Sequence, residues 1–522
     1  MPSAWGMALA VLAFTMTHVR GDDTCLWDQR GASDQQTNFL PLAPPLSVTG
    51  TPTKQALPQV MLNTPVLSSN GSRAVFGDSS GRIYGFDVAS GSIAWTVRAG
   101  GEVTSTCSIV QLAARAGAPA RELALCPARD MRLHAIDVDS GEEVWTYAGP
   151  AVFDVAAPLV CAVDGVDSDA LVWLVTLDAR LHCVNAANGT RLSRTLIHST
   201  AFTDTGVHPS SLTGASCAKF AVAANSVGAP ASGGHWRDSA IALYTLQGVS
   251  VGSTGGVITH LGQVPSSVLV GAFGQVQPII VAPRKPSTSP ASRLYVTTRS
   301  EASINSGRVY ALQESGGNLT VAWMQEFPEF LNAPAFEPAT GALVVFGDTF
   351  VSTVDATLNV RVIATETAGS GTPGTTLATY SAASKWNPTQ YDIAATTTAE
   401  GGVLVPSSSG CLHILRYAAP AAGQASGSLT KQSVWCVDGG EPTTGTTPLI
   451  AQVALVQPNI ALVSSAEGAL RVLPLSRSKC EEAAACPCGD GKGDEVDAGA
   501  LTGVVAPVWL VLASALLALM RG

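Results

Sequence analysis

The stretch GRIYGFDVASGSIAWTV at residues 81–97 returns as MRLHAIDVDSGEEVWTY at residues 131–147. This doubled phrase constrains the fold more than any other feature. Its first half alternates apolar and polar residues, as a half-buried strand does, and its centre, Ala-Ser-Gly or Asp-Ser-Gly, is a tight turn. Its second half is another strand ending near a tryptophan. A chain that repeats a hairpin at this spacing builds a repeated unit.

Weaker copies of the phrase stand at 180–193, 240–246, 308–323, 350–356, 411–417 and 469–475. Each follows an apolar run such as RAVFGDSS, ELALCPAR or LVWLVTLD, and often a third run precedes that. The unit is therefore four short antiparallel strands. The step from Arg82 to Arg132 is 50 residues and from Arg132 to Arg180 is 48. A four-stranded unit at that period reads as a propeller blade, whose sheet is buried only by stacking against its neighbours around an axis. The expected fold is all-β: an eight-bladed β-propeller with four-stranded antiparallel blades over residues 58–476, or seven-bladed if the poor unit at 350–356 is not counted. The last unit lacks a fourth strand. The N-terminal segment, 22–57, with Trp27 in TCLWDQR, is expected to supply it and so remove a sheet edge. The long Gly/Ser/Thr-rich connections at 247–262, 283–290 and 367–390 read as rim loops and the expected contact surface.

The chain has 522 residues, 46% hydrophobic and only 13% charged, a globular composition with ample core. Its net charge of −10 excludes a nucleic-acid partner, which requires a basic face. Residues 1–21 read as a signal peptide with a short N-terminal helix, although no Lys or Arg precedes the apolar run. Residues 477–502 form a polar, Cys-containing linker. Residues 503–520 are an apolar helix, read either as a GPI signal or as a transmembrane segment. Either reading tethers the chain to a membrane by its C-terminal end. The bulk of the chain is then extracellular or luminal, in the secretory pathway or at the cell surface.

Cysteine usage agrees with that compartment: disulfides persist in secreted chains, and there are 11 cysteines. Cys107 and Cys126 are symmetric about the connection near Gly117, and Cys411 and Cys436 about that near Gly423. In antiparallel hairpins each pair would face across strands, with buried free thiols as the alternative. The sequons at Asn70, Asn188 and Asn318 fall in expected turns, where a glycan is accommodated.

The phrase resembles the PQQ-like repeat of quinoprotein alcohol dehydrogenases and of their non-enzymatic relatives. In the first blade the motif stands as Gly85, Asp87, Ser90, Gly91 and Trp95. In the second it stands as Ala135, Asp137, Ser140, Gly141 and Trp145. The third departs from it, with Cys183, Asn185, Asn188, Gly189 and Ser193, while Trp323 and Trp435 keep a tryptophan in later blades. The resemblance implies that these tryptophans, with Asp87, Gly91, Asp137 and Gly141, dock one blade on the next.

Family enzymes bind the quinone beside an adjacent Cys-Cys disulfide and use an Asp base with Glu and Asn ligands to Ca²⁺. This sequence contains no Cys-Cys dipeptide. The acidic turn Asp164–Asp169 lacks the ligand alternation of known Ca²⁺ loops, and His134, His182 and His413 occupy equivalent positions in different blades. No catalytic residue, metal site or cofactor is assigned. The expectation is a non-catalytic protein- or glycan-binding module. A propeller enzyme, or a luminal sensor or assembly factor of the secretory pathway, stands as the alternative.

Overall fold

The computed structural model describes Phe39 to Arg477, apart from stretches including 163–169, 197–206, 228–235, 248–256, 265–278 and 282–292 and shorter pieces of other connections. The signal segment, Cys25, Trp27, the acidic turn at 164–169, the 283–290 loop, the polar linker beyond Arg477 and the apolar tail lie outside the described residues. Among the described residues no helix is long and apolar enough to cross a membrane.

The chain is all-β, and its described strands form eight sheets. The first is Val66–Leu67, Arg73–Gly77, Arg82–Asp87 and Ser92–Arg98, paired antiparallel in chain order. The second runs from Ser108–Leu112 to Glu143–Ala148, the third from Leu159–Ala162 to Arg191–Leu196, the fourth from Val207–Ser216 to Val257–Val264 and the fifth from Ile279–Val281 to Asn318–Phe327. In the sixth, Phe330–Leu331 and Ala335–Glu337 both pair with Ala342–Phe350, followed by Asp355–Ala364 and Thr376–Lys385. The seventh comprises Thr396–Thr398, Gly402–Pro406, Cys411–Ala418 and Ser428–Cys436. The eighth comprises Ala454–Val456, Ile460–Ser465 and Ala469–Arg477.

Three expectations need correction. The sixth unit is not built on 350–356: Phe350 ends a strand, and the third strand is Asp355–Ala364. The stretch 367–390 is not all loop, because Thr376–Lys385 is a strand along the whole of Asp355–Ala364. Likewise Val257–Val264, within 247–262, is the outer strand of the fourth sheet. Thr376–Lys385 is rich in Ser, Thr and Ala and exposes alternate residues, as an outermost strand with one face in water does, so the apolar run that marks an inner strand is missing.

The N-terminal segment completes two sheets. Phe39–Leu40 runs parallel to Thr396–Thr398 on the inner edge of the seventh. Pro45–Val48 and Thr53–Ala56 then pair with Ala469–Arg477 and fill the fourth place of the eighth. Between them Leu40 and Leu42 are fully buried.

Burial follows strand order. The second and third strands of the first sheet are almost wholly buried, whereas Ser92–Arg98 alternates exposed and half-buried. The first strands of neighbouring sheets touch, as in the first and second sheets and in the sixth and seventh. Cores are shared: one apolar cluster joins Leu404 and Ile414 of the seventh sheet, Leu462 and Leu473 of the eighth, and Phe76 and Phe86 of the first.

Each sheet is a meander, so its turns divide between two ends. Second-to-third turns and the connections between sheets lie on one rim. First-to-second and third-to-fourth turns lie on the other, which is also where Ala469–Arg477 carries the chain out of the last sheet. These are called below the far rim and the exit rim.

Candidate functional site: the joints between sheets

The tight turn of the repeat is built as its residues require. Asp87 Oδ1 accepts from the Ser90 amide at 2.8 Å, and the Gly91 amide donates to the Asp87 carbonyl at 2.9 Å, with Gly91 at φ 67°. The hydrogen bond from Ser90 holds the Asp87 carboxyl below its ordinary range. Asp137 binds the Ser140 amide at 2.9 Å above Gly141, at φ 75°. In the third sheet Asn185 takes the acid's place and accepts from the Ala187 amide at 2.8 Å above Gly189, at φ 70°. An amide oxygen caps the turn as well as a carboxylate does.

The indoles lie over the next sheet's glycine. Trp95 Nε1 donates to the Val138 carbonyl at 2.8 Å, and a Cβ at Gly141 would approach the Trp95 ring within 2.6 Å. Trp145 Nε1 donates to the Ala186 carbonyl at 3.1 Å, and a Cβ at Gly189 would meet its ring at 2.5 Å. Trp323 covers Gly374 in the same manner, at 3.3 Å from an added Cβ. Glycine is therefore required twice over, by φ and by the ring above it. Thr53, on the strand that completes the eighth sheet, lies 3.7 Å from where a Gly91 Cβ would be, in the place the indoles take elsewhere.

Trp435 does not stand in this position. A β-bulge interrupts the pairing of third and fourth strands at one place in seven sheets, after Gly85, Ala135, Cys183, Leu243, Ala311, Val362 and Ile414. Residues opposite the position before the bulge include Trp95, Trp145 and Trp323, but in the seventh sheet the residue is Ser433. Trp435 pairs with Leu412, two places further on, and packs against the cluster shared with the eighth and first sheets. A two-residue slip keeps a side chain on the same face of a strand, so a tryptophan count alone did not reveal it.

The bulge also aligns a repeated polar position that the sequence motif does not contain. One residue before Gly85, Ala135, Cys183, Val362 and Ile414 stand Tyr84, His134, His182, Arg361 and His413. The Tyr84 hydroxyl donates to buried Asp78 at 2.7 Å, and burial, then that carboxylate, pushes its pKa up to about 12. His134 lies between Glu143, at 2.7 Å from Nδ1, and Asp130, at 3.1 Å from Nε2. His182 reaches across the sheet boundary, its Nδ1 2.7 Å from the Tyr147 hydroxyl and its Nε2 3.1 Å from Thr176 Oγ1. His413 repeats this joint with Tyr380, at 3.2 Å from Nδ1. Ring centroids in both Tyr–His pairs are 5.8 Å apart, edge to face. Burial pushes the pKa of both His182 and His413 down to about 4, since a charged imidazole there would lose its water. Arg361 is bound by Glu329, which is 1% exposed, and lies over the Phe327 ring at 5.3 Å.

Both expected disulfides form, Cys107–Cys126 and Cys411–Cys436. Hairpin symmetry located them because facing residues are equidistant from the turn, and Cys411 pairs directly with Cys436. Both lie at the far-rim ends of their strands. The sequons lie at the opposite end: exposed Asn70 in a first-to-second turn, exposed Asn188 in a third-to-fourth turn, and Asn318 at the start of a fourth strand. No group of three metal-ligating side chains is present among the described residues.

Residues 26–226, less than half of the chain, match the family described as outer membrane protein assembly factor BamB. No curated protein sequence matches the chain. Among solved structures, the quinohemoprotein alcohol dehydrogenase from Comamonas testosteroni is 12% identical, with 89% of this chain and 82% of that one covered and a TM-score of 0.53. A quinohemoprotein alcohol dehydrogenase from Pseudomonas putida is 10% identical, with 88% and 81% covered and a TM-score of 0.53. BamB from Moraxella catarrhalis is 14% identical, with 82% and 100% covered and a TM-score of 0.47. The turn chemistry, the docked indoles and the likeness to the two dehydrogenase structures agree: residues 26–226 match this repeat family, and the chain has the fold of the PQQ-like β-propellers.

Proposed function

We propose that the eight sheets close into one eight-bladed propeller that serves as a non-catalytic binding module for protein or glycan. In this reading it works in the secretory pathway or at the cell surface, tethered by residues 503–520. The observation that carries the reading is how the interior polar side chains are used. Tyr84, His134, His182, Arg361 and His413 all bond within or between sheets, so the buried polar chemistry holds the ring together and the rims are left to meet partners. Closure is supported by Thr53 over Gly91 and by the core shared among the seventh, eighth and first sheets. The matched family bears the name of an assembly factor, which favours contact over turnover. The likeness to dehydrogenases, at 10–12% identity, carries the fold alone.

Purified full-length chain mixed with PQQ and Ca²⁺ is expected to give no dye-linked alcohol oxidation. Measurable turnover would overturn the reading. Treating intact cells with a phosphatidylinositol-specific phospholipase tests the anchor: release of the chain identifies a lipid anchor, and retention identifies a spanning helix.

A further inference from the structure

The second-to-third turns of the first, seventh and eighth sheets end on glycines with positive φ, Gly81 at 79°, Gly410 at 77° and Gly468 at 73°. In each the next connection lies close, so that an added Cβ would come within 2.7 Å of the Gly101 carbonyl, 2.1 Å of the Thr447 carbonyl and 3.1 Å of the Gln59 carbonyl. The second sheet has Met131 at this place, in the same left-handed conformation at φ 66°. The turn is otherwise alike: the Gly149 amide donates to the Met131 carbonyl at 2.8 Å, as the Ala99 amide does to Gly81. An unbranched apolar side chain is thus held at a strained position where its own repeats use glycine, and 45% of its surface is in water. Neither strain nor exposure helps folding.

We propose that Met131 anchors a protein-docking face on the far rim, and that the partner is a folded protein offering an apolar recess from the side away from the tether. This rests on the binding-module reading above. The chain leaves the last sheet at the exit rim, so the expected tether starts from that side. The three sequons lie there too, where glycans would obstruct a protein surface. The far rim carries none of the three, is clipped by both disulfides, and also bears Val351, 71% exposed. Arg129, in the same turn as Met131, pairs with Glu102 at 3.0 Å, so the turn that carries the apolar side chain also carries balanced charge. A flexible thioether in such a frame suits an apolar pocket with a polar margin.

The test places a benzophenone amino acid at position 131, at neighbouring position 132, or at exposed position 139 on the exit rim of the same sheet, in the full-length chain in its own cells. Irradiation is expected to give one discrete protein adduct from 131 and 132 and none from 139. In the 132 background, Met131→Gly is expected to reduce the adduct by about tenfold or more. The purified Met131→Gly chain should keep its melting temperature or raise it. An adduct from 139 alone would overturn the choice of rim but leave a binding module. Absence of any adduct would overturn both. An adduct of twice the chain's mass, a lipid adduct, or a lowered melting temperature of Met131→Gly would each overturn the anchor, by revealing self-association, membrane contact or a packing role.

Discussion

The joint between the second and third sheets and the joint between the sixth and seventh share a Tyr–His hydrogen bond but are packed differently. At the first, Trp145 covers Gly189 and Tyr147 meets His182 at 2.7 Å. At the second, Ala378 stands where the indole would be, Tyr380 meets His413 at 3.2 Å, and the seventh sheet carries the Cys411–Cys436 disulfide. The indole is therefore one of several ways to fill a joint. What recurs is a polar contact inside an apolar interface, which fixes how two sheets sit because either partner left alone would be a buried unpaired group.

The largest effect should separate the two joints. Trp145→Ala removes a docked indole and its hydrogen bond and is expected to cost about 4 kcal/mol in denaturant unfolding. Ala378→Gly, at the matching position, should cost less than about 1 kcal/mol. Equal losses would mean that the joints are packed alike after all.

Acid should act on both. His182 and His413 are neutral in the fold with pKa values of about 4, against 6.5 when free. The unfolded chain takes up their protons first as pH falls. Stability is therefore full above pH 6.5 and is lost between 6.5 and 4, on the order of 3 kcal/mol per site. The slope should be shallower in His413→Phe, and a stability profile flat from pH 7 to 5 in the parent would refute it. Replacing Cys411 and Cys436 by Ser opens a 25-residue loop and should cost about 2 to 3 kcal/mol, measured against the parent with its disulfides intact. If stability does not change, that joint does not depend on its clip. The smallest difference is between hydroxyls: Tyr147→Phe should cost about 1 kcal/mol and Tyr380→Phe less, given its longer bond. The reverse order would show that His413, buried with no partner at Nε2 among the described residues, depends more on its tyrosine.

Much of the frame was legible because hairpins are local. Asp87, Gly91 and Trp95 lie within nine residues, and their backbone demands are printed in their types: a short acceptor for the turn, no Cβ for positive φ, a flat apolar surface after it. The disulfides followed from the same locality. The Tyr–His joints did not, because Tyr147 and His182 are 35 residues apart and neither residue type is unusual in a strand. A pattern was present all the same: His134, His182 and His413 each stand one residue before the position that precedes the bulge. The strand Thr376–Lys385 was hidden by its outward Ser and Thr, and Trp435 by a slip that preserves its face.

Sequence alone determined the four-stranded unit, its repetition and its turns, since alternation and short connections set them through steric rules acting over a few residues. Tertiary structure decided which side chain fills each joint, that residues 45–56 complete the eighth sheet, and which rim the sequons and disulfides face. Those outcomes depend on many weak contacts between segments far apart in the chain. Several side chains can satisfy each contact, so no single residue type announces it.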